Sequence, residues 1–96
     1  GTNNQVLPAH PAPTADTCTR LALEAGVGDT HVLGATTTLV MISCSADTYF
    51  LVGGAGDISA TGYPLKAGVD YSFSVTPGSS LAFFSEEASA VAVLEA

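Results

Sequence analysis

The sequence predicts an all-β chain: a single β-sandwich or jelly-roll-like domain of about seven or eight short antiparallel strands, with an extended N-terminal arm. Three observations carry this. Residues 69–76 alternate large apolar with polar side chains, the period of a strand with one wet face. Turn residues recur about every 8–12 positions from Cys18 onward. The only helix-like stretch, Arg20 to Ala25, is short and runs straight into Gly26-Val27-Gly28.

Residues 1–17 form the expected arm. Pro8, Pro11 and Pro13 remove backbone donors and bias their neighbours toward extended geometry, so no helix or central strand can form there. Val6 and Leu7 are its large apolar side chains. The arm is either a loose terminus or a partner-contact segment in which Val6, Leu7, Pro8, Pro11 and Pro13 dock on a neighbour.

Residues 18–96 hold the strands. Cys18 to Ala25 alternates, with Leu21 and Leu23 opposite Arg20 and Glu24, and residues 26–29 turn the chain. His31 to Leu33 is a brief strand ended by Gly34. Residues 36–44 are rich in β-branched side chains around an unbroken apolar run, which predicts a central strand covered on both faces. Asp47 to Val52 follows, closed by the glycine-rich loop 53–57. Residues 58–66 contain Gly62 and Pro64 and suit an edge strand or a long connection. Val69, Tyr71, Phe73 and Val75 then point one way into the core. Pro77-Gly78 is a strong turn signal, and residues 80–85 and 90–94 complete the domain across Glu86-Glu87.

Ninety-six residues make one domain, which at this size buries roughly 60–68% of its unfolded surface. A hydrophobic share of 47% lets it fold alone, though contacts from the arm or from neighbouring subunits would add stability. Arg20 and Lys66 face nine carboxylates, for a net charge of −7. That deficit of cations argues against nucleic acid and against anionic membrane surfaces. It leaves a neutral or basic protein, a glycan or a cation as partner, or acidity that serves solubility alone. The longest apolar run, residues 38–43, is far shorter than a membrane helix, and residues 1–16 lack the features of a signal peptide.

No catalytic set emerges, and an enzyme is not expected. His10 lies in the arm, and His31 beside Asp29 reads as turn chemistry with an exposed ring. A Cys44–His31 dyad is formally possible, but burial would keep that thiol inert. Cys18 and Cys44 are expected as buried free thiols, with a disulfide as the alternative. The loop 53–57 lacks the Lys-Ser/Thr of a phosphate loop, and Asp47 and Asp57 do not have calcium-loop spacing, so no cofactor or metal is expected. Outward positions from Gly34 to Leu94 are mainly Thr, Ser, Ala and Gly, an uncharged surface that favours a homo-oligomer or a lattice-bound subunit.

Four stretches in residues 36–94 carry a resemblance: Ser45-Ala46-Asp47-Thr48-Tyr49-Phe50, the turn Pro64-Leu65-Lys66-Ala67-Gly68, the strand 69–75, and Pro77-Gly78 leading to Leu81-Ala82-Phe83-Phe84. Together they resemble small β-sandwich proteins of tailed-phage head and structural modules, of the capsid decoration (cement) type. The resemblance implies a virion structural protein, assembled in the host cytoplasm and bound to the major capsid protein, with a homotrimer favoured. It transfers no site residue. The competing expectation is a glycan- or receptor-binding module of a phage fibre or surface protein.

Overall fold

The computed structural model describes residues 17–53 and 61–96. The arm, with Val6, Leu7, Pro8, Pro11 and Pro13, lies outside the described residues, as does most of the loop containing Asp57. The described residues form eight strands: β1 (Cys18–Leu23), β2 (Asp29–Val32), β3 (Leu39–Cys44), β4 (Thr48–Val52), β5 (Tyr63–Leu65), β6 (Tyr71–Ser74), β7 (Ser80–Phe84) and β8 (Ser89–Glu95). They form two four-stranded antiparallel sheets, ordered β1-β8-β3-β6 and β2-β7-β4-β5. The described residues contain no helix. The all-β sandwich read from the sequence is the fold of the chain.

The pairing is nested. The first strand meets the last, β2 meets β7, β3 meets β6, and β4 meets β5. Eleven residues on from Cys18 lies Asp29, and eleven back from its partner Leu94 lies Phe83, the partner of Asp29. The two halves of the chain therefore run as one long hairpin ribbon. Successive stretches of that ribbon fall in opposite sheets, which is the jelly-roll solution to closing an antiparallel sheet.

Alternation builds the core between the sheets. Val40, Ile42 and Cys44 of β3 and Val91 and Val93 of β8 face Phe50 of β4 and Leu81 and Phe83 of β7. The Phe50 ring joins the layers, with centroids 5.0 Å from Phe73 and 5.5 Å from Phe83. Tyr71, Phe73 and Val75 pack against this cluster as half-buried neighbours. Val69 departs from the expected pattern and is exposed. It closes the turn Lys66–Val69, with its N–H 3.4 Å from Lys66 C=O, and lies ahead of β6.

β3 holds the expected central place, flanked by β8 and β6, but only one of its faces is buried. Leu39, Met41 and Ser43 lie half-buried on the outer side, because no described layer covers the first sheet there. β3 also starts later than the β-branched run suggests. Thr37 N–H bonds Gly34 C=O at 3.3 Å, so residues 34–37 form a turn. Pro77-Gly78 behaves as expected: Ser79 N–H reaches Thr76 C=O at 3.2 Å and Gly78 takes φ +76°, the type II geometry that favours glycine.

Candidate functional site

The interior is occupied by hydrocarbon. Among the described residues its buried polar side chains are hydroxyls: Thr48 Oγ1 donates to Ala46 C=O at 2.9 Å, Ser85 Oγ donates to Asp47 C=O at 2.8 Å, Ser89 Oγ lies 2.9 Å from Thr48 Oγ1, and Thr37 Oγ1 donates to the Glu95 carboxylate. Among the described residues no three His, Cys, Asp or Glu side chains gather where they could share a metal. Recognition chemistry must therefore be sought on the outer faces and edges.

The residues singled out by sequence are brought to different places. His31 is half-buried, in contrast to the exposed ring expected, because its Nε2 lies 2.8 Å from Glu95 Oε2. The other oxygen of Glu95 accepts the Gly34 N–H at 2.8 Å and the Thr37 hydroxyl at 2.6 Å. Burial by itself would push the Glu95 carboxyl up, but the Gly34 amide, the Thr37 hydroxyl and the His31 ring outweigh it and hold it below the usual carboxylate range. A carboxylate so fully bonded is a clamp between β8 and the β2–β3 connection. Sequence reasoning missed it because 64 residues separate Glu95 from His31.

Cys44 sits in the core, where burial pushes its thiol up despite an opposing hydrogen bond with Thr48. It is not brought into contact with His31. Cys18, expected to be buried, is exposed on β1, because that strand is a sheet edge and Cys18 belongs to its outward set. Both thiols are free. Asp29 accepts the Thr30 N–H at 2.8 Å. Asp47 accepts the Ala67 N–H at 2.9 Å and lies 3.6 Å from Lys66 Nζ; the amide first, then the ammonium, holds its carboxyl low.

The outer face of the second sheet is the candidate binding surface. Leu81 and Phe83 point inward, so Ser80, Ala82 and Phe84 of β7 point out. Register then assigns their cross-strand partners to the same face: Thr30 and Val32 of β2, Tyr49 and Leu51 of β4, and Pro64 of β5. None of these side chains is charged. Val32 is 67% exposed and Leu51 45%, while Ala82, between Thr30 and Leu51, is fully covered. The result is an uncharged, largely apolar surface with Ala82 at its floor.

The first sheet presents a different outer face. Ala90, Ala92 and Ser43 floor a shallow trough of about 320 Å³, bordered by Arg20 on one side and Asp70 on the other. A second depression of about 250 Å³ lies at one end of the sandwich, between Asp47, Tyr49, Glu86 and Glu87. It combines one half-buried aromatic ring with three carboxylates.

No known protein family and no curated protein matches this chain. Among solved structures it is similar to a de novo designed double-stranded β-helix determined by solution NMR. The two share 17% identity and a TM-score of 0.58 over 82% of this chain and 97% of the other. At that identity the likeness concerns the fold alone: the coiled double ribbon described above is the arrangement this chain shares with a double-stranded β-helix.

Proposed function

We propose that the chain is a non-enzymatic structural protein of a phage particle, a capsid decoration (cement) subunit that binds the shell as an oligomer and stabilises it. Its site of action is the virion surface and its partner the major capsid protein. The resemblance of residues 36–94 to head-module proteins suggests this role. The observation that carries it is the outer face of the second sheet, whose strand residues carry no charge and where Val32 and Leu51 stand exposed on the same face as Tyr49, Phe84 and Pro64. Water-exposed apolar surface gains roughly 25 cal/mol for each Å² covered, and an uncharged patch carries no ionic desolvation penalty. A sheet face of this kind suits a flat protein partner. Jelly rolls also serve in lectins and cupins, so the fold by itself does not select the role.

The test is cosedimentation of the purified chain with shells that lack it. The wild-type chain is expected to pellet with the shells. Leu51→Lys should remain in the supernatant while retaining its circular dichroism and melting temperature. Deletion of residues 1–16 should lower occupancy without loss of the fold, if the arm contributes to attachment. Equal pelleting of Leu51→Lys and wild type would sink the assignment of this face.

A second reading has one observation in its favour. The cleft between Asp47, Tyr49, Glu86 and Glu87 places carboxylate acceptors beside an aromatic ring, a combination that suits sugar hydroxyls and a sugar face. A glycan- or receptor-binding module would then show signal on a glycan array that Tyr49→Ala abolishes.

A further inference from the structure

Four strands stand at sheet edges: β1 and β6 in the first sheet, β2 and β5 in the second. An open edge displays unpaired backbone donors and acceptors, and proteins commonly blunt it with brevity, proline or charge. β5 has three residues and contains Pro64. β6 and β2 have four residues each, and Asp29 at the start of β2 occupies the Thr30 N–H. β1 is six residues long, holds no proline and has no charge on its inward face.

The backbone of β8 determines which groups of β1 face away. Ala90 turns its N–H to Ser45 Oγ at 2.8 Å and its C=O to Ser45 N–H at 2.9 Å, both on the β3 side. Glu95 N–H, on the other side, donates to Thr17 C=O at 2.8 Å. Antiparallel ladders alternate, so Val91 and Val93 serve β1, and their partners Leu21 and Thr19 answer them. The N–H and C=O groups of Cys18, Arg20 and Ala22 therefore point out from the sheet.

We propose that two copies of this chain join edge to edge through β1, antiparallel about a two-fold axis at Ala22, so that their first sheets become one continuous sheet. The proposal rests on the reading of the chain as an assembly subunit and supplies the contact between copies. Charge selects the register. With the axis at Ala22, Arg20 of each copy lies opposite the other's Glu24, which is exposed just past the end of β1 with its C=O engaged by Val27 N–H at 3.1 Å, and Leu21 lies beside Leu23 on the inner face. An axis at Arg20 would oppose two guanidinium groups. An axis at Leu21 would set Arg20 against Ala22 and leave both charges without partners. Among the described residues Arg20 has no ion pair: the pairs there are His31–Glu95 and Lys66–Asp47. The seam thus satisfies the outward N–H and C=O of Ala22 and places Leu21, half-buried in one chain, under apolar cover from the next. The contact is two-fold, in place of the threefold association that the resemblance implies.

Sedimentation equilibrium of the whole chain tests this. The expected mass is twice the 9.6 kDa of one chain. Arg20→Glu and Glu24→Arg should each weaken dimerisation about tenfold, since each turns two opposite-charge pairs into like-charge pairs. The double reversal should restore dimerisation to within about threefold of wild type. In a Cys18→Ser background, Ala22→Cys should oxidise to a covalent dimer, because directly opposed residues there lie about 5.5 Å apart between Cα atoms. A monomer at about 0.5 mM, or a double reversal no stronger than the single ones, overturns the proposal. Binding of an undimerised chain to shells would defeat this seam alone. A β1-linked dimer that never pellets with shells would defeat the functional reading alone.

Discussion

Glu95 shows how much one side chain can tie together in a small sandwich. Its carboxylate receives the Gly34 amide, the Thr37 hydroxyl and the His31 ring, and so joins the end of β8 to the turn before β3. The folded carboxyl is held below its ordinary value of 4.5. A lowered folded value means that the unfolded chain binds the proton more tightly. The stabilisation is therefore present above the unfolded value and is lost as pH falls through the folded one. Glu95→Gln should cost about 1.5–3 kcal/mol at neutral pH, the range for hydrogen bonds to a charged group. It should also flatten the acid limb of stability below about pH 4.5, read from denaturant midpoints across a pH series. An unchanged acid limb would show that the clamp carries no pH-linked stability. Asp47 is lowered too, but it stands exposed and receives help chiefly from one amide.

At the scale of elements, what was legible in the sequence depended on how local its cause is. β7 and β8 were readable because their alternating apolar residues needed only a pleat and a core to face. The Thr76–Ser79 turn was readable because Pro77-Gly78 fixes its backbone by itself. Gly78→Ala should therefore cost about 1 kcal/mol through the positive φ, although nothing lies within 4 Å of the added methyl group. That loss corresponds to a melting temperature lower by roughly 4–8 °C. The late start of β3 and the exposure of Val69 follow from the turns 34–37 and 66–69, whose residues carry no turn signal as strong as Pro77-Gly78, and the outward position of Cys18 follows from its place on an edge strand whose partner, β8, is distant in sequence. The aromatic link across the core has larger consequences. Phe83 is fully buried and its ring lies 5.5 Å from that of Phe50. Phe83→Ala should cost roughly 3–5 kcal/mol by urea denaturation, a large part of the roughly 5–15 kcal/mol that holds a small domain together.

For the whole molecule the nested pairing has a kinetic consequence. β1 cannot complete its ladder until residues 89–94 arrive, so the closing contacts span nearly the full chain. Topologies dominated by such distant pairings fold in milliseconds to seconds, and stopped-flow refolding of this chain should fall in that range. Refolding within tens of microseconds would contradict the nested ladder. The charge distribution also becomes meaningful only at this scale. The sequence shows nine carboxylates and two cations, but the sheet register is what leaves the outward strand residues of β2, β7, β4 and β5 uncharged and gathers Asp47, Glu86 and Glu87 at one end.

By itself, the sequence determined strand character, the turn at Pro77-Gly78, the alternation that builds the core and the shortage of cations, because these follow from side-chain period, fixed dihedral angles and composition. The folded chain alone decided which strands became edges, that Glu95 would meet His31, and that Val32 and Leu51 would share one face with Tyr49 and Phe84. Those outcomes depend on register between segments far apart in the chain, where a shift of one residue exchanges the inner and outer faces of a strand and local sequence carries no record of the partner.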